Sequence, residues 1–319
     1  MIEILCLLVG FMFLVAGSYI FIYASSDIAK KFRMSLQMIQ LIIVSFSTSL
    51  PELLVSIRAG MLGLDNMVIY NVIGSNIINI LLVLAISCII KNLKITSNTI
   101  KKELPLTLLV TILFILVGLD DLFIKNSNNI ITASDGLILI LFFLIYLYYM
   151  KTAIKESRDI KIINQPKNST IANIFLIIIG LSMIIMGSTF TVDVASKMIN
   201  SGISERLLSL LIIALATSIP ELITCIMAIK NKQDDLIIGN ILGSNIFSIC
   251  ICISIPAIIV GNLNINALSV VDIINFVIAN LLLLIFAPLQ DKMGKKEGLI
   301  LLSIFVIYYT YIILEGVLL

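Results

Sequence analysis

Residues 48–80, TSLPELLVSIRAGMLGLDNMVIYNVIGSNIINI, and residues 217–249, TSIPELITCIMAIKNKQDDLIIGNILGSNIFSI, align without a gap at an offset of 169, and 15 of the 33 positions are identical. The shared residues include Thr, Ser, Pro, Glu, Asn and Gly at matched places, which apolar composition alone would not position twice. One motif therefore occurs once in each half of the chain.

Working outward from the motif, the surrounding sequence is too apolar for a soluble domain: 60% of its 319 residues are hydrophobic, 13% are charged, and the mean hydropathy is +1.15. A spanning helix takes about 20 mostly apolar residues. By that measure spans fall near 2–24, 36–60, 67–90, 104–119 and 135–150, then near 171–190, 207–229, 236–260, 268–288 and 299–315. Glycines and amides break the third and eighth. Residues 2–23 lack a basic leader region and a small-residue cleavage site, so they read as a retained first span.

Basic residues follow the odd-numbered spans. Lys30, Lys31 and Arg33 follow the first, Lys91, Lys94, Lys101 and Lys102 the third, and Lys151, Lys155, Arg158, Lys161 and Lys167 the fifth. Lys230 and Lys232 follow the seventh, and Lys292, Lys295 and Lys296 the ninth, leaving Arg58, Lys125, Lys197 and Arg206 for the other side. The positive-inside rule then puts both termini outside a multi-pass plasma-membrane protein. Five spans per half is an odd number, so the second half is upside down relative to the first. The expected fold is all-α and integral to the membrane, with ten transmembrane helices as two inverted five-helix repeats. Residues 1–150 form the first repeat, 151–170 a cytoplasmic linker, and 171–319 the second repeat.

A net charge of +2 gives no reason to expect nucleic acid, so the lipid bilayer is the expected surroundings; the oligomeric state is not encoded legibly. Histidine is absent, which removes an imidazole relay and the commonest zinc ligand. The cysteines Cys6, Cys88, Cys225, Cys250 and Cys252 lie in or beside apolar runs and read as small hydrophobes; Cys250 and Cys252, two apart, point in different directions on a helix. No catalytic dyad, H-E-x-x-H motif or cofactor motif is present, so an enzyme is not expected. Ion chemistry in this chain has to use oxygen.

Of 19 acidic residues only Glu52 and Glu221 lie well inside spans, while Asp27 and Asp272 sit near span ends. A lone carboxylate is costly in a bilayer, and Arg58, six residues on and near the surface, is poorly placed to compensate Glu52. A bound cation is the natural partner. Pro51 and Pro220 leave the carbonyls of Ser47 and Ala216 without a helical donor, and Thr48 and Thr217 share a face with the glutamates four residues on.

In the next spans Asn71, Ser75 and Asn79 recur every four residues, matched by Asn240, Ser244 and Ser248. Asn76 and Asn245 on the flank fit either ion ligands or interhelical glue, and Gly74 and Gly243 allow either close approach or local unwinding. Calcium takes about six to eight oxygens with carboxylates among them. Two glutamates that one Ca²⁺ or several Na⁺ can neutralise imply exchange by competition. A proton on a buried glutamate would give Ca²⁺/H⁺ exchange instead, and a cation channel fits inverted repeats with deep acids less well.

The paired TS[LI]PE and GSNI segments in inverted halves resemble the calcium/cation antiporter superfamily, most closely its prokaryotic sodium/calcium exchangers, over essentially the whole chain. The resemblance implies Na⁺ and Ca²⁺ as transported ions, no cofactor, and a cluster of cation sites between the second, third, seventh and eighth helices. Glu52 and Glu221 would hold Ca²⁺ with the carbonyls of Thr48 and Thr217. Ser75, Ser218, Glu221 and the carbonyl of Ala214 would form an outer Na⁺ site, and Ser49, Ser244, Glu52 and the carbonyl of Ser45 an inner one. It also implies that the first and sixth helices slide past the remainder, with Gly17-Ser18 and Gly187-Ser188 in comparable places. The chain departs from the family pattern at the central site, where Asn79 faces Ser248 and relatives often carry Asp in the second half. Ser47 and Ala216 stand where the family has the glycine before the threonine, and Tyr70 stands where it has the glycine before Asn71.

Overall fold

The computed structural model describes residues 2–32, 39–96, 99–125, 127–156, 168–231, 234–287 and 292–318. Most of the expected linker, residues 157–167, lies outside the described residues, as do Arg33, Arg158, Lys161, Lys167 and Lys232. The described residues form ten helical stretches: α1 (Ile2–Lys31), α2 (39–61), α3 (Asp65–Ile90), α4 (Leu104–Gly118), α5 (Ala133–Glu156), α6 (Thr170–Asn200), α7 (Glu205–Lys230), α8 (234–260), α9 (Val270–Phe286) and α10 (Lys295–Leu318). Seven are long and apolar enough to cross a membrane, and bent α2 makes eight; α4 and α9 are shorter, at 15 and 17 residues.

Several ends move outward from the sequence expectation. α1 continues to Lys31 and α6 to Asn200, past the last uncharged turn, because neighbours satisfy the acids found there. Asp27, at the end of α1, accepts from the backbone N–H of Asn168 at 3.0 Å and from Asn173 Nδ2 at 2.9 Å, which ties it to the start of α6. Asp193, expected in a connection, lies within α6 and takes both Nε and Nη2 of Arg58 at 3.0 and 2.7 Å. Helix propensity persists wherever a partner removes the penalty of a charge near the apolar region.

Contrary to the sequence expectation, the third and eighth spans are not broken at their glycines. α-Helix runs through Gly74 and Gly243 and changes to π-helix only at Asn79–Leu84 and Ser248–Cys252. Close approach is the glycines' use: a β-carbon on Gly74 would stand 2.7 Å from the Ala214 side chain, and one on Gly243 3.3 Å from that of Ser45. Two more π turns, Ile39–Val44 and Leu208–Ile213, precede the motif. All four start at positions that match at the offset of 169, as do the helices Leu50–Met61 and Ile219–Lys230.

α3 and α8 form the centre, with 78% and 89% of their apolar windows buried, whereas only 22% of the α6 window is, its outer face being Ile174, Phe175 and Ile178. α1 and α6 run antiparallel in close contact, Gly10 against Gly187 and Gly17 against Gly180; a β-carbon on Gly180 would lie 2.8 Å from the Gly17 carbonyl. Small residues let helices meet where water supplies no driving force. Short strands tie the halves together: β1 (Leu93–Lys94) pairs antiparallel with β4 (Lys292–Met293), and β2 (Ile130–Thr132) with β3 (Asn262–Asn264). Glu205, first residue of α7, accepts from the Met67 backbone N–H at 2.9 Å and from Asn66 Nδ2 at 3.2 Å, capping the start of α3 from the other half.

Candidate functional site

Helices α2 and α7 each break one residue before the proline-bearing turn. Ser49 and Ser218 have φ near −88° and −86° with ψ near zero, and the two parts of α2 meet at 41°. Pro51 and Pro220 explain the break, since neither donates a helical hydrogen bond. The carbonyl that Pro51 leaves without a donor, that of Ser47, takes the Ser18 hydroxyl of α1 at 3.4 Å. A neighbouring helix thus supplies the donor that Pro51 cannot.

Glu52 and Glu221 enter at the first turn after each break and are buried, at 1% and 0% exposure. Both carboxyl oxygens of Glu52 and Oε2 of Glu221 have no hydrogen-bond partner among the described residues. Oε1 of Glu221 accepts from Ser49 Oγ at 3.2 Å and from Ser244 Oγ at 3.5 Å, so the acid of the second half is met by hydroxyls from both halves. Buried carboxyl oxygens without donors are rare in folded proteins because each forfeits hydration without replacement.

Hydroxyl and carbonyl oxygens surround them. The Ser45 carbonyl accepts from Thr48 Oγ1 at 2.8 Å, Ser49 Oγ at 3.3 Å and Ser244 Oγ at 3.3 Å, and Thr48 and Ser244 hydroxyls stand 3.4 Å apart. In the second half Thr217 Oγ1 donates to the Ala214 carbonyl at 3.2 Å and to Asn71 Oδ1 at 3.3 Å. Ser218 Oγ is buried without a partner among the described residues. Ser75 turns onto its own helix, donating to the Val72 carbonyl at 3.0 Å. Asn79 donates to Asn245 Oδ1 at 3.0 Å and keeps its own Oδ1 unpartnered, while Ser248 is buried at the start of the opposite π turn.

The structure thus brings all the expected positions onto α2, α3, α7 and α8, with the tightest grouping formed by Ser45, Thr48, Ser49, Glu221 and Ser244. Asn245 resolves as interhelical glue, its Oδ1 accepting from Asn79 Nδ2 at 3.0 Å and its Nδ2 donating to the Asn76 carbonyl at 3.5 Å, whereas Asn76 Nδ2 donates to the Val72 carbonyl of its own helix at 2.8 Å and its Oδ1 has no partner among the described residues. Asn71 does more than its place in a stripe suggested. Its Nδ2 donates to the Glu52 carbonyl and to Ser56 Oγ, both at 3.1 Å, which locks the turn carrying Glu52. Ser56 and its counterpart Cys225 were legible only from the repeat alignment, which sets them opposite each other. Two carboxyl groups amid neutral hydroxyl and carbonyl oxygens are a donor set that could hold a hard cation.

Known proteins share this design. The sodium/calcium exchanger protein family matches residues 2–152 and 172–314. The putative antiporter CaxA of Alkalimonas amylolytica is 32% identical over 97% of this chain and 98% of its own length. The sodium/calcium exchanger MaX1 of Methanosarcina acetivorans is 26% identical over 96% and 97%. A solved structure of the sodium-calcium exchanger NCX_Mj, soaked with Na⁺ and Sr²⁺, matches with a TM-score of 0.69 at 30% identity, covering 96% of this chain and 97% of that one. With both halves matched in sequence and the whole chain matched in fold, this multi-pass membrane protein belongs to the sodium/calcium exchanger protein family and hence to the cation/Ca²⁺ antiporters.

Proposed function

We propose that the chain exchanges Na⁺ for Ca²⁺ by alternating access, with Glu52 and Glu221 holding the transported cation at mid-membrane. The observation that carries this reading is the pair of buried carboxyl groups with unpartnered oxygens, set at equivalent helix breaks and ringed by hydroxyls. Ca²⁺ would sit between them with the Thr48 and Thr217 carbonyls. Na⁺ would use Ser75, Ser218 and the Ala214 carbonyl on one side, and Ser49, Ser244 and the Ser45 carbonyl on the other. Asn79 and Ser248 stand at the centre.

The same reading takes all ten helical stretches as spans, arranged as inverted repeats over 1–150 and 171–319 around a cytoplasmic linker, with both termini outside the plasma membrane. Element starts that match at one offset support the repeats. Strand pairing agrees with this arrangement: six helical stretches separate β1 from β4 and four separate β2 from β3, and even numbers return each partner to one face.

The test is uptake of labelled Ca²⁺ into proteoliposomes under Na⁺, K⁺ or H⁺ gradients. Uptake driven by the Na⁺ gradient is expected. Uptake driven by a pH gradient alone would replace Na⁺ with H⁺ as the counter-ion, and conductance without counter-ion would make the protein a channel.

A further inference from the structure

We infer that Asn240 is a cation ligand on the route between Glu221 and the membrane face where Lys30 and Asn231 lie. A cavity of about 260 Å³ opens between α1, α7 and α8, lined among others by Tyr19, Ser26, Lys30, Pro220, Asn231 and Asn240. Its deep end is marked by Pro220, the residue before Glu221, and by Asn240, which is only 2% exposed.

The two repeat-related asparagines differ in what they have left to offer. Asn71 spends its oxygen on the Thr217 hydroxyl and its nitrogen on the Glu52 carbonyl and Ser56. Asn240 directs its nitrogen at Cys225 Sγ, 3.9 Å away, and its Oδ1 has no partner among the described residues. The asymmetry has a local cause. Thr48 and its counterpart Thr217 make equivalent bonds to the carbonyls of Ser45 and Ala214, but the second contact of Thr217 is Asn71 Oδ1 whereas that of Thr48 is the Ser244 hydroxyl, 3.4 Å away, which leaves Asn240 without that donor.

One helical turn further along α8, Ser244 reaches Glu221 Oε1 at 3.5 Å. Asn240, Ser244 and Glu221 therefore form a series of oxygens leading from the cavity to the carboxylate. A neutral amide oxygen replaces one water of a Na⁺ or Ca²⁺ hydration shell without adding charge that would hold the ion back.

The inference rests on the reading of Glu221 as a cation holder, and the experiment separates the two. Ca²⁺ flux is measured in oriented proteoliposomes, with Ca²⁺ offered to one face at a time, for the wild type, Glu221→Gln, Asn240→Leu, Asn240→Ser and Asn240→Asp. For Asn240→Leu the Ca²⁺ concentration giving half-maximal flux should rise about tenfold on the Lys30 and Asn231 face and stay within about twofold on the other, as expected for loss of one oxygen ligand to a charged ion. Asn240→Ser should act in the same direction in a smaller side chain, and Asn240→Asp should lower that concentration on the cavity face. Equal changes on both faces, or no change in any soluble, correctly sized variant, would overturn the assignment of Asn240. Wild-type flux in Glu221→Gln would instead overturn the reading beneath it.

Discussion

At the scale of the residue, the site is defined by what its acids lack. Glu52 has two carboxyl oxygens without donors, and Glu221 has one. Replacing either by Gln keeps the volume and removes the charge that draws a divalent ion. Glu52→Gln and Glu221→Gln are each expected to weaken Ca²⁺ binding by about 10- to 100-fold and to abolish measurable exchange, since one charged contact is worth about 1.5–3 kcal/mol. Isothermal titration with Ca²⁺ and vesicle uptake check both, and wild-type behaviour in the two variants would remove the glutamates from the site. Ser248, buried opposite Asn79, is the position where an added carboxylate should act differently. Ser248→Asp is expected to stay active while its Na⁺ dependence shifts to lower concentrations; an unchanged Na⁺ titration would show that this position takes no part in sodium binding. Both glutamates were legible in the sequence because an unpaired acid within an apolar run has few explanations. The pairing of hydroxyls with acids was not: the resemblance groups Ser49 and Ser244 with Glu52, whereas both reach Glu221, and a serine in a membrane helix can equally bond its own backbone, as Ser75 does.

Among the elements, α1 and α6 form one unit, joined by close glycine contacts and by Asp27 at the start of α6, and Lys31 Nζ adds a bond to Thr170 Oγ1 at 3.0 Å. On one side α1 borders the cavity before α7; on the other α6 packs on α2, where Arg58 and Asp193 pair. That pair links α6 to the helix bearing Glu52. Arg58→Ala and Asp193→Ala are expected to show a coupling of about 1 kcal/mol in a double-mutant cycle, modest because both side chains are about a third exposed. Thermal melts and flux measure it, and the exchanged pair Arg58→Asp with Asp193→Arg should recover most of the loss. Zero coupling would mean that the contact does not fasten α6 to α2. Sequence placed Asp193 outside the helix because nothing local announces a partner 135 residues away.

For the molecule as a whole, the strands give the sharpest test of topology. Lys94 and Lys292 are paired in β1 and β4, while Asn264 faces Ile130 in β3 and β2. In a Cys6→Ser background, where the remaining cysteines are buried, cysteines at Lys94 and Lys292 should be labelled from the cytoplasmic face and one at Asn264 only from outside. Labelling of Lys94→Cys and Asn264→Cys from the same face would contradict the ten-span, inverted arrangement.

Sequence alone determined that the chain is a membrane protein carrying one motif twice and that two acids lie deep within it. Composition, charge placement and self-similarity are properties of order along the chain, and they need no coordinates. Tertiary structure decided which oxygens are already spent and which remain free. Ser47 accepts from Ser18 with its freed carbonyl, Asn71 is fully engaged where Asn240 is not, and of the two uses open to Gly74 and Gly243 it is the close approach of Ala214 and Ser45 that is realised. The physical reason is that a hydrogen bond is satisfied by proximity in space. Ser18 stands 29 residues from Ser47, and Thr217 146 from Asn71, where no local pattern records the pairing.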